Sequence, residues 1–243
     1  MRNRFVDKLQ GFADLDAVDT DALEVITNAP RSFAPKQDLI REGDQPGPVF
    51  VVLAGWACRY KILPAGSRQI TAFLLPGDAC DLHVGMLAEM DHGIQAVSQA
   101  SVAMISRTDM TSLLETHPRI ARAMYISQLV DEGTLRSWIV SMGRRSSLER
   151  VAHLMCELYL RSLAVGEAVD DLVTLPLSQI VLADALGMTP VHINRVLKQL
   201  RLAGTMDPRR GSLVITNPVR LVQIAGFDEN YLHRRIRQGP RYL

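Results

Sequence analysis

Nowhere in the 243 residues do apolar positions run for the roughly 18–20 needed to cross a bilayer, so a membrane-spanning helix is not expected. Cysteine is scarce. Cys58, Cys80 and Cys156 are odd in number and far apart, which argues against a disulfide framework. The opening stretch "MRNRFVDKLQGFADLDAVDTDAL" is rich in aspartate and lacks the apolar core of a signal peptide, so the cytoplasm is the expected location. Enzyme signatures are missing too. There is no phosphate-cradling GxxxxGK, no GxSxG and no HExxH, and no nucleophile–base–acid constellation can be placed. Positive charge is absent over one long interval, with no Lys or Arg between Arg68 and Arg107.

What is present describes a folded chain, with 47% hydrophobic and 22% charged residues and enough length for one large domain or two ordinary ones. The net charge of +1 is unevenly spread. Residues 1–141 hold 13 Lys and Arg against 17 Asp and Glu, whereas residues 142–243 hold 14 against 9. An acidic first part and a basic second part suggest that the second meets a polyanion.

Residues 5–29 read as helix, with Phe5, Leu9, Phe12, Leu15, Val18, Leu23 and Ile26 at helical spacing. From Ser32 to Ile105 short apolar bursts are cut by glycine and proline, the texture of a β-meander or barrel, and "QAVSQASVAMISR" (95–107) reads as a strand or strand pair. Thr108 or Asp109 is the expected cap of a short helix, and Pro118 opens a longer one. Ile126, Val130, Leu135, Ile139 and Met142 give that long helix an apolar stripe. Such a stripe packs either on its own domain or on a second copy in a coiled coil. The best boundaries divide the chain into an effector domain (1–117), a dimerisation helix (118–143) and a third domain (144–243). Ser146 starts the last with a capping box, Glu149 lying three residues on, and Gly166 ends that helix.

The stretch "SQIVLADALGMTPVHINRVLKQLRLAG" (178–204) splits into two short helices around Gly187-Met188. Ile180, Ala183 and Leu186 are expected to point inward from the first, which Ser178 caps. Thr189 suits the N-cap of the second and Pro190 its first position, where a missing N–H costs nothing. There Ile193, Val196, Leu197 and Leu200 share one side. Val191, Arg195 and Lys198 lie opposite, flanked by His192, Asn194 and Gln199. A short polar and basic face on the second of two helices is the layout of a helix-turn-helix. "TMDPRRGSLVIT" follows as a wing, with turn signals at Asp207-Pro208 and at Arg209-Arg210-Gly211.

With these motifs in place, the whole chain resembles the Crp/Fnr family of bacterial transcription regulators. "EGDQPGPVFVVLAG" and "LLPGD" resemble the family's cyclic-nucleotide-type β-barrel, and the interval from Gly187 to Arg195 is similar to its recognition helix. The resemblance implies an α+β fold: a jelly-roll barrel, a long dimerisation helix and a winged helix-turn-helix. It implies a sequence-specific, homodimeric DNA-binding regulator, not an enzyme. The homodimer would form through residues 118–142, and double-stranded palindromic DNA and RNA polymerase would be its partners, with no membrane role. Arg195 is then the guanine reader, and Ser178, Thr189, Pro190, Val191, His192, Asn194, Lys198, Arg201, Arg209 and Arg210 complete the expected DNA contacts. Val191 stands where close relatives usually carry glutamate, and Asn194 where they carry serine or glycine, so a different half-site is expected.

Cyclic-nucleotide binders of the family place a glutamate and then an arginine after the Gly-Asp turn. Here Asp81-Leu82-His83 holds the first place and the second falls near Met90, so cAMP and cGMP are not expected to bind. Asp81, Leu82, His83, Met90 and Gln95 are the candidate residues of a divergent effector pocket. Cys80, Asp81, His83, Asp91 and His92 are ligand-type residues, but a polar surface loop has the same composition, and no metal is assigned. No cysteine precedes Cys58, so an iron–sulfur cluster is not expected. A haem-bound or thiol-redox sensor through His83 or Cys156 stays open, as does a sensor whose winged helix contacts protein rather than DNA.

Overall fold

The protein, seen in a computed structural model, is described for residues 3–80, 82, 86, 88–169, 172–209 and 212–233; Asp81, His83 and Arg210 fall outside them. Two compact units form, one from the residues up to Gly66 with Thr71–Leu129, the other from Ser67–Ile70 with Val130 onward. Among the described residues no helix is long and apolar enough to cross a membrane.

The first unit begins with two helices, α1 (Arg4–Gln10) and α2 (Ala17–Ile26), where the sequence suggested a single one. Asp16 explains the break. Its carboxylate accepts the Asp19 amide at 3.0 Å, and its own amide donates to the Asp19 carboxylate at 3.3 Å, a reciprocal capping box that starts a new helix. The helical phase restarts there, so Leu23 is buried while Val18 is exposed.

Among the described residues eight strands follow: β1 (Arg31–Phe33), β2 (Asp38–Ile40), β3 (Val49–Ala54), β4 (Ala57–Ile62), β5 (Arg68–Leu74), β6 (Ala79–Cys80), β7 (Gly93–Ala96) and β8 (Ala100–Ile105). They form two four-stranded sheets, ordered β1-β8-β3-β6 and β2-β7-β4-β5. The 95–107 stretch is therefore two strands, one in each sheet. Val49, Phe50, Val51 and Val52 are all buried, which suits a strand in the middle of its sheet. Phe33, Phe50 and Val102 from one sheet meet Ile40, Ala57 and Ile94 from the other in one apolar cluster.

Helix α3 (Arg107–Thr116) is capped by Ser106, not by Thr108 or Asp109. Ser106 Oγ accepts the Asp109 amide at 3.0 Å and donates to the Asp109 carboxylate at 2.6 Å, so Asp109 is the cap's partner inside the first turn. Pro118 opens α4 (Pro118–Arg144), 27 residues long. Ile126 and Val130 are half-buried, whereas Leu135, Ile139 and Met142 are exposed.

In the second unit Ser146 caps α5 (Ser147–Ala164) through the expected capping box with Glu149. Then come β9 (Ala168–Val169), β10 (Leu172–Leu175), α6 (Gln179–Leu186), α7 (Pro190–Leu202), β11 (Met206–Arg209), β12 (Ser212–Ile215), α8 (Pro218–Ala225) and a 3-10 turn at Glu229–Leu232. The sheet order is β11-β12-β10-β9. Asp207 and Pro208 do not form a turn. They pair with Val214 and Leu213 inside β11, an edge strand, where a proline without an N–H is tolerated.

Candidate nucleic-acid interface

Local chemistry sets the two helices of the interface. Ser178 Oγ accepts the Val181 amide at 3.3 Å and starts α6. Gly187 ends it in the left-handed region, with φ of 62°, a conformation that costs an L side chain strain. The Met188 amide reaches back to the Ala183 carbonyl at 3.2 Å, closing the turn. Two residues on, Thr189 Oγ1 accepts the His192 amide at 3.2 Å and Pro190 occupies the first helical position. Sharp termination and sharp initiation are thus encoded side by side.

Burial divides α7 into two faces. Ile193, Val196, Leu197 and Leu200 are buried, and at about 100° per residue they span an arc of roughly 100°. Val191, Arg195 and Lys198 fall within about 60° of one another on the other side. All three are exposed, Val191 by 72%, as are His192, Asn194, Gln199 and Arg201. Ser178, Thr189, Pro190 and Arg209 are exposed as well. Every expected DNA contact among the described residues is therefore open to solvent, and Arg210 lies outside them. One expectation for α6 fails: Ile180 is 63% exposed. Leu182, Ala183, Ala185 and Leu186 bury one side of that helix, and Ile180 projects close to opposite their mean direction.

Among the described residues, the effector candidates Leu82, Met90 and Gln95 lie in different surroundings. Met90 is fully buried in the apolar cluster of the barrel. Gln95 is half-buried and donates to the Asp38 carboxylate at 2.8 Å, which also accepts Tyr60 OH at 3.0 Å. Leu82 lines an open cleft of about 920 Å³ with Arg107, Met110, Thr111, Glu115 and Tyr125, none of which belongs to the barrel cluster. Asp81 and His83 lie outside the described residues. Of the remaining ligand-type residues, Cys80 is buried and Asp91 pairs with the neighbouring His92 at 2.6 Å. Among the described residues no group of three His, Cys, Asp or Glu is placed to hold a metal ion. All three thiols are buried, and burial pushes the Cys156 thiol up to about 12, away from thiolate chemistry near neutral pH.

A second set of residues carries no sequence motif and was missed by pattern. Arg150 donates to the carbonyls of Met142 (2.9 Å), Arg145 (3.3 Å) and Leu186 (3.2 Å), joining the end of α4 to the end of α6. Glu157, wholly buried, accepts Trp138 Nε1 at 3.0 Å, Tyr231 OH at 3.0 Å and Arg161 at 3.2 Å. Burial raises its carboxyl above the usual range, opposed by the charge of Arg161 and these donors. His153 packs beside Phe227 and Tyr231, and burial holds it down at about 4, hence neutral.

A β-sandwich barrel, a long helix and a winged pair of short helices with an exposed basic face define a DNA-binding regulator of two modules. Residues 30–117 match the family model of the cyclic nucleotide-binding domain, and residues 149–224 match that of the Crp-like helix-turn-helix domain. The chain belongs to the Crp/Fnr family of transcription regulators. It is 28% identical to the nitrogen fixation regulation protein FixK of Bradyrhizobium diazoefficiens over 79% of its own length and 80% of that protein. It is 26% identical to the transcriptional activator protein anr of Pseudomonas aeruginosa over 87% of its length and 86% of that protein. The structure of FixK2 from Bradyrhizobium japonicum superimposes with a TM-score of 0.70 at 26% identity, covering 81% of this chain and 96% of that one.

Proposed function

We propose that this protein acts in the cytoplasm as a homodimer that grips a palindromic operator, each protomer setting residues 190–201 into the major groove. The observation that carries this reading is the division of α7: four apolar side chains are buried, and Arg195 is left exposed among polar and basic neighbours. In this reading Arg195 donates to the O6 and N7 acceptors of a guanine, while His192 and Asn194 set the neighbouring positions. Ser178, Thr189, Lys198, Arg201 and Arg209 hold phosphates, fixing register without reading sequence. Dimerisation through residues 118–142 is supported by the exposed Tyr125, Leu135, Ile139 and Met142, which fall at alternating heptad core positions along α4. RNA polymerase is the further partner that family membership suggests, and binding rather than catalysis is the activity.

The barrel answers a signal other than cAMP. Met90, buried among apolar side chains, stands near the place where a nucleotide-binding relative needs a cation for the cyclic phosphate. Calorimetry with cAMP is expected to give no binding heat; a micromolar dissociation constant would overturn this. Selection of DNA from a random pool by the purified protein tests the main reading. The expected product is an inverted repeat with half-sites about one helical turn apart. A pool left unenriched would contradict it.

A further inference from the structure

The winged-helix match ends at residue 224, yet residues 225–232 pack against α4 and α5 of the second unit. Gly226 takes the left-handed region at φ of 54°, turning the backbone out of α8. The following segment lies along both α4 and α5. A Cβ built on Gly133 of α4 would sit 2.8 Å from the Tyr231 carbonyl oxygen, so that helix must be bare there for the segment to pass. Phe227 and Tyr231 hold the His153 ring of α5, with centroids at 4.8 and 5.9 Å. Tyr231 OH and Trp138 Nε1 both donate to the buried Glu157 carboxylate, so α4, α5 and the tail meet on one side chain. Arg145, at the α4–α5 joint, donates to the Ala225 carbonyl at 2.9 Å.

Simple core filling does not require a buried carboxylate, because apolar residues of similar volume are usually no worse for stability. A fully satisfied network instead admits one geometry, since a partly satisfied one is costly. The Glu157 network spans the joint where the long helix gives way to α5. Arg150 carries that joint onward to α6, which immediately precedes the DNA-reading helix.

We propose that residues 227–232 form a strap that fixes the angle between α4 and α5, with Tyr231, Glu157 and Trp138 as positioning residues for DNA recognition. The proposal rests on the operator-binding reading given above. In a dimer that joint sets the separation of the two recognition helices, so the strap selects the half-site spacing.

The test compares the full-length protein with Gly133→Ala and Tyr231→Phe. Gly133→Ala is informative because alanine favours a helix over glycine, so a loss of function there does not come from a weaker helix. The probes are the inverted repeat recovered by selection, the same repeat with one or two base pairs added or removed between half-sites, and a duplex carrying one half-site. The unaltered protein is expected to lose about tenfold or more when the spacing changes. Both variants should bind the original repeat about tenfold more weakly, tolerate altered spacing within about threefold, and bind the single half-site as before. An unchanged spacing profile, or equal losses on the repeat and the single half-site, would overturn the strap alone. Failure of the unaltered protein to bind any DNA would overturn the operator reading and the strap with it.

Discussion

In the operator-binding reading, Val191 is the side chain through which this chain's half-site would differ from that of relatives carrying glutamate there. It is exposed, it sits at the second position of α7, and its isopropyl group neither donates nor accepts a hydrogen bond. The base edge it suits in the major groove is the methyl group of thymine. One buried methyl is worth about 0.8 kcal/mol, so uracil in place of the contacted thymine should weaken binding by roughly threefold to fivefold. Val191→Ala should erase the difference between the two bases, and Val191→Glu should shift preference toward a G·C pair presenting the cytosine amino group. Competition binding with the substituted duplexes measures both, and equal affinity for thymine and uracil DNA would remove Val191 from base reading. At this scale the sequence was informative wherever a residue acts on its own backbone. Thr189, Pro190, Gly187 and Ser146 work within a few residues of themselves, so their roles follow from position alone. Ser106 was missed because Thr108 and Asp109 are equally good caps by type, and only the hydrogen bonds distinguish them.

Among the elements, α4 carries the most consequence. Four of its exposed apolar residues, Tyr125, Leu135, Ile139 and Met142, follow a heptad-like alternation, with Gln128 and Glu132 at the intervening positions and the exposed Leu129 and Val140 outside it. Ile139, 72% exposed, would be costly to leave in water if no partner covered it. Ile139→Glu should therefore convert the dimer to monomer, seen as halved mass by sedimentation, with little change in the monomer's own fold. A monomeric unaltered protein at tens of micromolar would contradict the dimer. The stripe was legible as the apolar side of a long helix, but the share each residue gives to its own unit was not. Ile126 and Val130 turn partly inward, a distinction set by neighbours far away in sequence. The same limit explains Ile180, whose spacing fits an inward stripe while the actual packing side of α6 is centred elsewhere.

For the whole molecule, the barrel was visible in the short apolar bursts from Ser32 to Ile105, and the winged helix in the capped helices after Ser146 and in the basic charge of that part. Local signals located the barrel and the winged helix because strand bursts, caps and glycine turns recur at short range. The strap was not legible, since its meaning depends on Gly133, Trp138, Glu157 and Tyr231, which are scattered over almost a hundred positions and meet only in the fold. Nor does the divergent barrel announce its signal. Met90 fills its core, and the candidate residues Leu82 and Gln95 face different surroundings.

The central claim is that the Arg195 side of α7 reads DNA. It is tested most directly by measuring Arg195→Ala and Arg209→Ala on the selected operator and on random duplex at two salt concentrations. Each bidentate guanine contact is worth about 1–3 kcal/mol, so Arg195→Ala, applied in both protomers, should cost the operator on the order of a hundredfold while leaving random DNA nearly unchanged. Arg209→Ala should weaken both alike and reduce the salt slope by about one per protomer. Equal losses on operator and random DNA for Arg195→Ala would show that this face does not read sequence.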